Sequence, residues 1–150
     1  MSNYEINKNT VAVIGINDRK SRVVEYDYEK VINSNSYEVM DHSCNYFGSS
    51  YDGRVEGSKN ILKSCYKLPI IVEEELDLVF FPTEAINKKE CTWLNLNSIR
   101  SIKDDRKGSI VYFKNGKKIK LSISKFSVYN QILRATRLQY LLNERKCRPR

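Results

Sequence analysis

Asn115-Gly116 stands between two alternating runs, SIVYFK (109–114) and KKIKLSI (117–123). A two-residue type I′ turn needs positive φ at both central residues, and Asn-Gly tolerates that well. The spacing predicts a hairpin with Tyr112 opposite Ile119 and Ile110 opposite Leu121. Those four side chains, with Ile123, form the expected buried face, while Val111, Phe113, Lys118 and Lys120 form the other. From about Ser124 the period changes from two to 3.6. Ser124 or Ser127 can accept a bond from a free backbone N–H at a helix start. Val128, Tyr129, Ile132, Leu133, Ala135, Thr136 and Leu142 are expected on the inner half of that helix, with Asn130, Arg134 and Arg137 outside.

Upstream, TVAVIGI (10–16) and SRVVEYDY (21–28) are rich in β-branched and aromatic residues around a polar NDRK, which predicts an opening hairpin. YEVM (37–40) reads as a short third strand. PIIV (69–72) and LVFF (78–81) read as strands divided by an acidic turn, and TWLNL (92–96) alternates with Thr92, Leu94 and Leu96 on one face. Strand after strand followed by one helix predicts an α+β, mainly β fold. The expected form is an antiparallel curled sheet or a small, partly open barrel, closed by a C-terminal amphipathic helix. Pleckstrin-homology-like domains share that order of elements. With 150 residues and no linker or repeat, residues 1–150 are expected to form a single domain, with 145–150 as a basic, disordered tail.

Charge narrows the function. Twenty-six Lys and Arg face 18 Asp and Glu, a net +8, which suits a polyanionic partner. Acid gathers in 73–77, base in 114–120 and 145–150, so a basic side is expected. The longest apolar runs are far too short to span a bilayer. The first ten residues lack the apolar stretch of a secretory signal, and four scattered cysteines are expected as free thiols, so a cytoplasmic location is expected.

Three of the six glycines, Gly48, Gly53 and Gly57, fall within ten residues, in HSCNYFGSSYDGR (42–54) and just beyond. GSSYDGRV has the two glycines of a phosphate-binding loop, but Arg54 replaces its lysine and Val55 its magnesium-binding hydroxyl. No long helix is expected after it, because VEGS would break one. His42, Cys44, Cys65 and Cys91 lack the paired knuckles of a structural zinc site, and Cys44 near His42 is no proof of a nucleophile pair. No catalysis, metal or cofactor is expected. The reading that remains is a grip on a phosphate polymer. Ser49 and Ser50 donate to phosphate oxygens, Arg54, Lys59 and Lys63 supply charge, and Asn60 meets a base edge or sugar. Tyr51, with Tyr46 and Phe47, stacks or anchors the loop. The hairpin lysines Lys118 and Lys120 and the outer helix residues Arg134 and Arg137 complete the candidate DNA contacts. A rigid surface loop packed by its own aromatics is the competing reading of the segment.

DHSCNYFGSSYDGR (41–54) resembles the hallmark segment of the ComK family of bacterial competence transcription factors. The likeness continues through LPIIV (68–72), VFFPT (79–83), CTW (91–93), FKNGKKIKLSIS (113–124) and NQILRATRL (130–138). The resemblance implies an activator that binds AT-rich double-stranded DNA upstream of DNA-uptake and recombination genes. It implies binding largely through the minor groove, as a homo-oligomer, with RNA polymerase as a partner and degradation through an adaptor and an ATP-dependent protease. Family members carry the adaptor-binding segment in a tail beyond the helix, which 1–150 does not match, so that partner is not carried over. The resemblance brings no map of contact residues. A narrow A-tract groove favours inserted Arg or Lys, which makes Arg54 the first candidate. The alternative is a non-catalytic module of pleckstrin-like architecture that docks on acidic lipid or a protein through the basic hairpin.

Overall fold

The computed structural model describes residues 4–84 and 87–147. Its first sheet has the order β3-β2-β1-β6-β5-β4 and joins β1 (Thr10–Gly15), β2 (Ser21–Glu25), β3 (Glu29–Ile32), β4 (Ile70–Glu73), β5 (Leu78–Pro82) and β6 (Trp93–Asn95). A second sheet, β7-β8-β9, comprises Ile99–Asp105, Gly108–Phe113 and Lys118–Leu121. Every pairing is antiparallel. Three α-helices accompany them: α1 (Ser36–Tyr46), α2 (Tyr51–Leu62) and α3 (Lys125–Cys147). The antiparallel sheet with a closing C-terminal helix is therefore present. The barrel alternative is not, because the two sheets stay separate and open.

The larger sheet is covered on both faces, which explains why 69–72 and 78–81 read as unbroken apolar runs. Val13, Val23, Ile70, Phe80 and Trp93 pack with Val39, Met40 and Cys44 of α1. The opposite face, through Ala12, Val24, Ile71, Phe81 and Leu94, meets Ile102, Val111, Phe113 and Leu121 of the small sheet and Val128, Ala135 and Leu138 of α3. Tyr51 and Val55 join the first cluster and Ile61 and Leu62 the second, so α2 wraps the β4 side of the sheet. That cover protects an edge strand whose backbone groups would otherwise be open to another chain.

YEVM is helix, not strand. Asn35 accepts from Glu38 N at 2.9 Å while Glu38 Oε1 accepts from Asn35 N at 3.0 Å, a reciprocal cap that starts α1. Val39, Met40, Ser43 and Cys44 then fall on one buried face. A helix also follows the glycine segment, contrary to expectation. Gly48 at φ +87 makes the turn between α1 and α2, and Ser50 caps α2 by accepting from Gly53 N. Neither Gly53 nor Gly57 stops it.

The hairpin at 115–116 also differs. Asn115 is not at positive φ; Gly116 is, at +89. Phe113 N donates to Lys117 O at 2.8 Å, closing a three-residue loop instead of a two-residue one. The register moves by one, to Val111 opposite Ile119 and Tyr112 opposite Lys118. Val111 and Phe113 are buried, while Ile110 and Tyr112 turn outward beside Lys118 and Lys120. In α3, capped by Ser124 as expected, the buried stripe is narrower than the predicted half. It runs through Val128, Gln131, Ala135 and Leu138, and leaves Tyr129, Leu133 and Thr136 exposed. Gln131 is recruited because its amide satisfies the Lys67 and Pro82 carbonyls at 2.9 and 2.8 Å. The tail expected at 145–150 is helical through Cys147, and 148–150 lie outside the described residues.

Candidate nucleic-acid interface

Basic charge is concentrated on the small sheet. Residues 99–121 carry eight Lys and Arg against two Asp. Alternation sends Ile102, Val111 and Phe113 inward and the polar partners out. A bulge between Ile99 and Ser101 turns both Arg100 and Ser101 to the outer face. That face reads across the strands as Lys103, Ile110, Lys120 and then Ser101, Tyr112, Lys118. Four exposed cations, Arg100, Lys103, Lys118 and Lys120, thus surround half-buried Tyr112 and Ile110. Asp105 sits at one end, 3.8 Å from Lys120. Lys114, in the turn, is exposed as well.

The face continues past β9. A groove of about 310 Å³ separates β9 from the open shelf of β2 and β3, lined by Arg22, Val24, Glu29 and Lys117 to Lys120. Glu29 is 3.8 Å from Lys117, and Arg22 is exposed. The sequence reading missed Arg22, Arg100, Lys103 and Tyr112. No local pattern marks Arg22, since only tertiary packing brings β2 under β9. Arg100, Lys103 and Tyr112 were legible once the correct register is known.

The other predicted residues lie elsewhere. Ser49, Ser50, Tyr51, Arg54, Lys59, Asn60 and Lys63 belong to the α1–α2 turn, α2 and its C-cap. They sit at the β4 edge, four strands from β2, about 19 Å at the spacing of a sheet. This helical pair, 36–63, has three basic residues and four acidic ones. The α2 N-terminus is already supplied with acceptors: Asp41 Oδ1 takes Tyr51 N at 2.9 Å and Ser50 Oγ takes Gly53 N at 2.9 Å. Tyr51 is a core anchor, its ring edge-on to Tyr37 and Trp93 at 5.0 and 6.1 Å, and burial pushes its hydroxyl up to about 12. Arg54 is half-buried, with its Nε sealed from solvent and without a hydrogen-bond partner among the described residues. Lys59, Asn60 and Lys63 are exposed.

On α3, Arg134 donates to the carbonyls of Lys67 and Tyr66, to Gln131 Oε1 and to Ser64 Oγ. Those bonds clasp the segment after α2, and burial lowers the pKa of the guanidinium. Arg137 is exposed on the outer side of the same helix. His42 Nε2 lies 2.6 Å from Glu5 Oε2, while Cys44 is buried against α1's own core. Among the described residues no group of three or more His, Cys, Asp or Glu could hold a metal ion.

A family model described as ComK protein matches residues 1–147. The chain belongs to the ComK family. It is similar to the competence transcription factor of Bacillus subtilis (strain 168), with 33% identity over 152 residues, covering 97% of this chain and 78% of the relative. No solved structure matches at a significant level. Within this ComK-family fold, residues 41–54 form the α1–α2 corner, and the eight Lys and Arg of 99–121 lie on β7–β9 and their turns.

Proposed function

We propose that this chain regulates transcription of competence genes by gripping AT-rich duplex DNA with the outer face of β7–β9. The observation that carries the reading is the arrangement of Arg100, Lys103, Lys118 and Lys120 around Tyr112 and Ile110 in a ComK-family chain. The cations would meet phosphates on either side of a groove while the central ring and the isoleucine contact its floor. Sheet faces are a known way to enter either groove. In the minor groove A·T pairs offer few distinguishing donors, so preference comes from groove width and deformability. Arg22 and Lys117 extend the track along the β9 groove. Lys59, Asn60 and Lys63 on α2, with Arg54, form a second contact for DNA that bends around the β4 side. Self-association and contact with RNA polymerase complete the activator.

The pleckstrin-like alternative for acidic lipid loses its architectural basis, since the sheets do not close into a barrel. The test is a titration of the chain with an AT-box duplex and a GC duplex at two salt concentrations. Tighter AT binding that weakens steeply with salt supports the reading. Equal or absent binding to both duplexes overturns it.

A further inference from the structure

α3 carries large apolar side chains on the side that the core does not use. Phe126 is 73% exposed, Tyr129 45%, Leu133 64% and Tyr140 62%. Together they present on the order of 500 Å² along about 21 Å of helix, toward the upper end of the largest apolar patch of a typical monomer, a kind of patch that is often functional. Tyr66, also exposed, borders Leu133 across a depression of about 520 Å³ that Ser64, Asn130 and Arg134 help to line.

We propose that this stripe is the surface through which two copies of the chain pair, with their α3 helices antiparallel across a two-fold axis at Leu133. The proposal names a surface for the self-association proposed above, and it is read out without DNA. The spacing points to a second copy rather than another protein. Phe126 and Tyr140 lie seven residues either side of Leu133, and Tyr129 and Arg137 lie four either side. A two-fold therefore exchanges Phe126 with Tyr140, Tyr129 with Arg137, and Leu133 with itself, as an isologous interface requires. Exposed Asn130 and Thr136 exchange under the same operation and form a polar rim.

Charge selects the direction. Parallel helices would set Arg137 against Arg137, whereas the antiparallel arrangement lays each guanidinium over the Tyr129 ring of the second copy. It also brings Glu144, the acidic residue of α3, to within a turn of Lys125 across the axis. The stripe and its rim fall below the roughly 800 Å² per partner of a standard interface, so the pairing is expected to be weak and is tested at high protein concentration.

The experiment uses the full chain with Cys65→Ser and Cys147→Ser, free of DNA. Sedimentation velocity at about 100 μM should show mostly dimer. Leu133→Asp, at a position that is already solvent-exposed, should give monomer with an unchanged thermal transition. Tyr140→Ser should weaken the dimer about tenfold and serves as a second variant. With a short bismaleimide, Leu133→Cys should cross-link to itself and Phe126→Cys should not, because two-fold copies of residue 126 lie about 21 Å apart along the helix. A monomer at that concentration, a dimer indifferent to Leu133→Asp, or equal cross-linking at 126 and 133 would each overturn the proposal. A dimer without AT-DNA binding would instead count against the DNA reading alone.

Discussion

Cys44 stands two residues from His42 in sequence, yet the two side chains serve different neighbourhoods. His42 reaches Glu5, while Cys44 joins the core under α1. Burial pushes the Cys44 thiol up to about 12, outweighing the opposite pull of the Arg54 charge, and pushes Cys91 up to about 11. Thiolate is the reactive form. A maleimide reagent at pH 8 should therefore label Cys65 and Cys147, which are exposed, and leave Cys44 and Cys91 until the chain is unfolded. Mass spectrometry of the labelled protein checks this. The same shifts fix the sign of an alkaline effect. Both folded thiols titrate above their ordinary value of 9.0, so the folded chain holds its protons more tightly than the unfolded one. Their contribution to stability is whole below pH 9 and is lost as pH rises toward 11 and beyond. Melting temperature followed by circular dichroism should fall steadily from pH 9 to 11.

Within the β8–β9 hairpin, one backbone choice decides which aromatic is core. Asn115-Gly116 marked the turn correctly, but its two flanking runs are apolar on both faces, Ile110 and Tyr112 on one, Val111 and Phe113 on the other. The pattern alone cannot choose between them. The three-residue loop, closed between Phe113 and Lys117, slips the register by one and exchanges the faces. Phe113→Ala should thus cost about 3–5 kcal/mol in chemical denaturation, as a fully buried ring. Tyr112→Ala should cost less, keep the fold and weaken binding to the AT duplex. The reverse outcome would restore the two-residue turn. α1 was legible through Asn35 and Glu38, three apart before a run of helical period, although YEVM alone also suits a strand. α2 was harder, since Gly53 and Gly57 lower helix propensity by about 1 kcal/mol each and packing of Tyr51, Val55, Ile61 and Leu62 overrides them.

Across the whole molecule the net charge of +8 is distributed by topology. The small sheet gathers eight Lys and Arg against two Asp, while the α1–α2 corner is close to neutral. If the sheet is the main DNA contact, Lys118→Ala and Lys120→Ala should each flatten the plot of log affinity against log salt by about one unit. Lys59→Ala and Lys63→Ala should then flatten it less. Fluorescence anisotropy over a salt series measures both, and a larger effect from the α2 pair would move the grip to that helix. Arg134 belongs to neither set. Its bonds to the 64–67 segment make Arg134→Ala a stability variant, expected to lose about 1–3 kcal/mol without altering the salt slope.

Residue order by itself determined β1, β2, β4, β5, β6, β8 and β9, but not β3 or β7. It also determined the closing helix, the position of the β8–β9 turn and membership in a family, because each depends on local period, turn chemistry or linear similarity. Tertiary structure decided the hairpin register, the helix α2 across Gly53 and Gly57 and the meeting of Arg22 with β9. Those outcomes depend on which face a distant element covers and which backbone groups it satisfies, and no nearby residue encodes either.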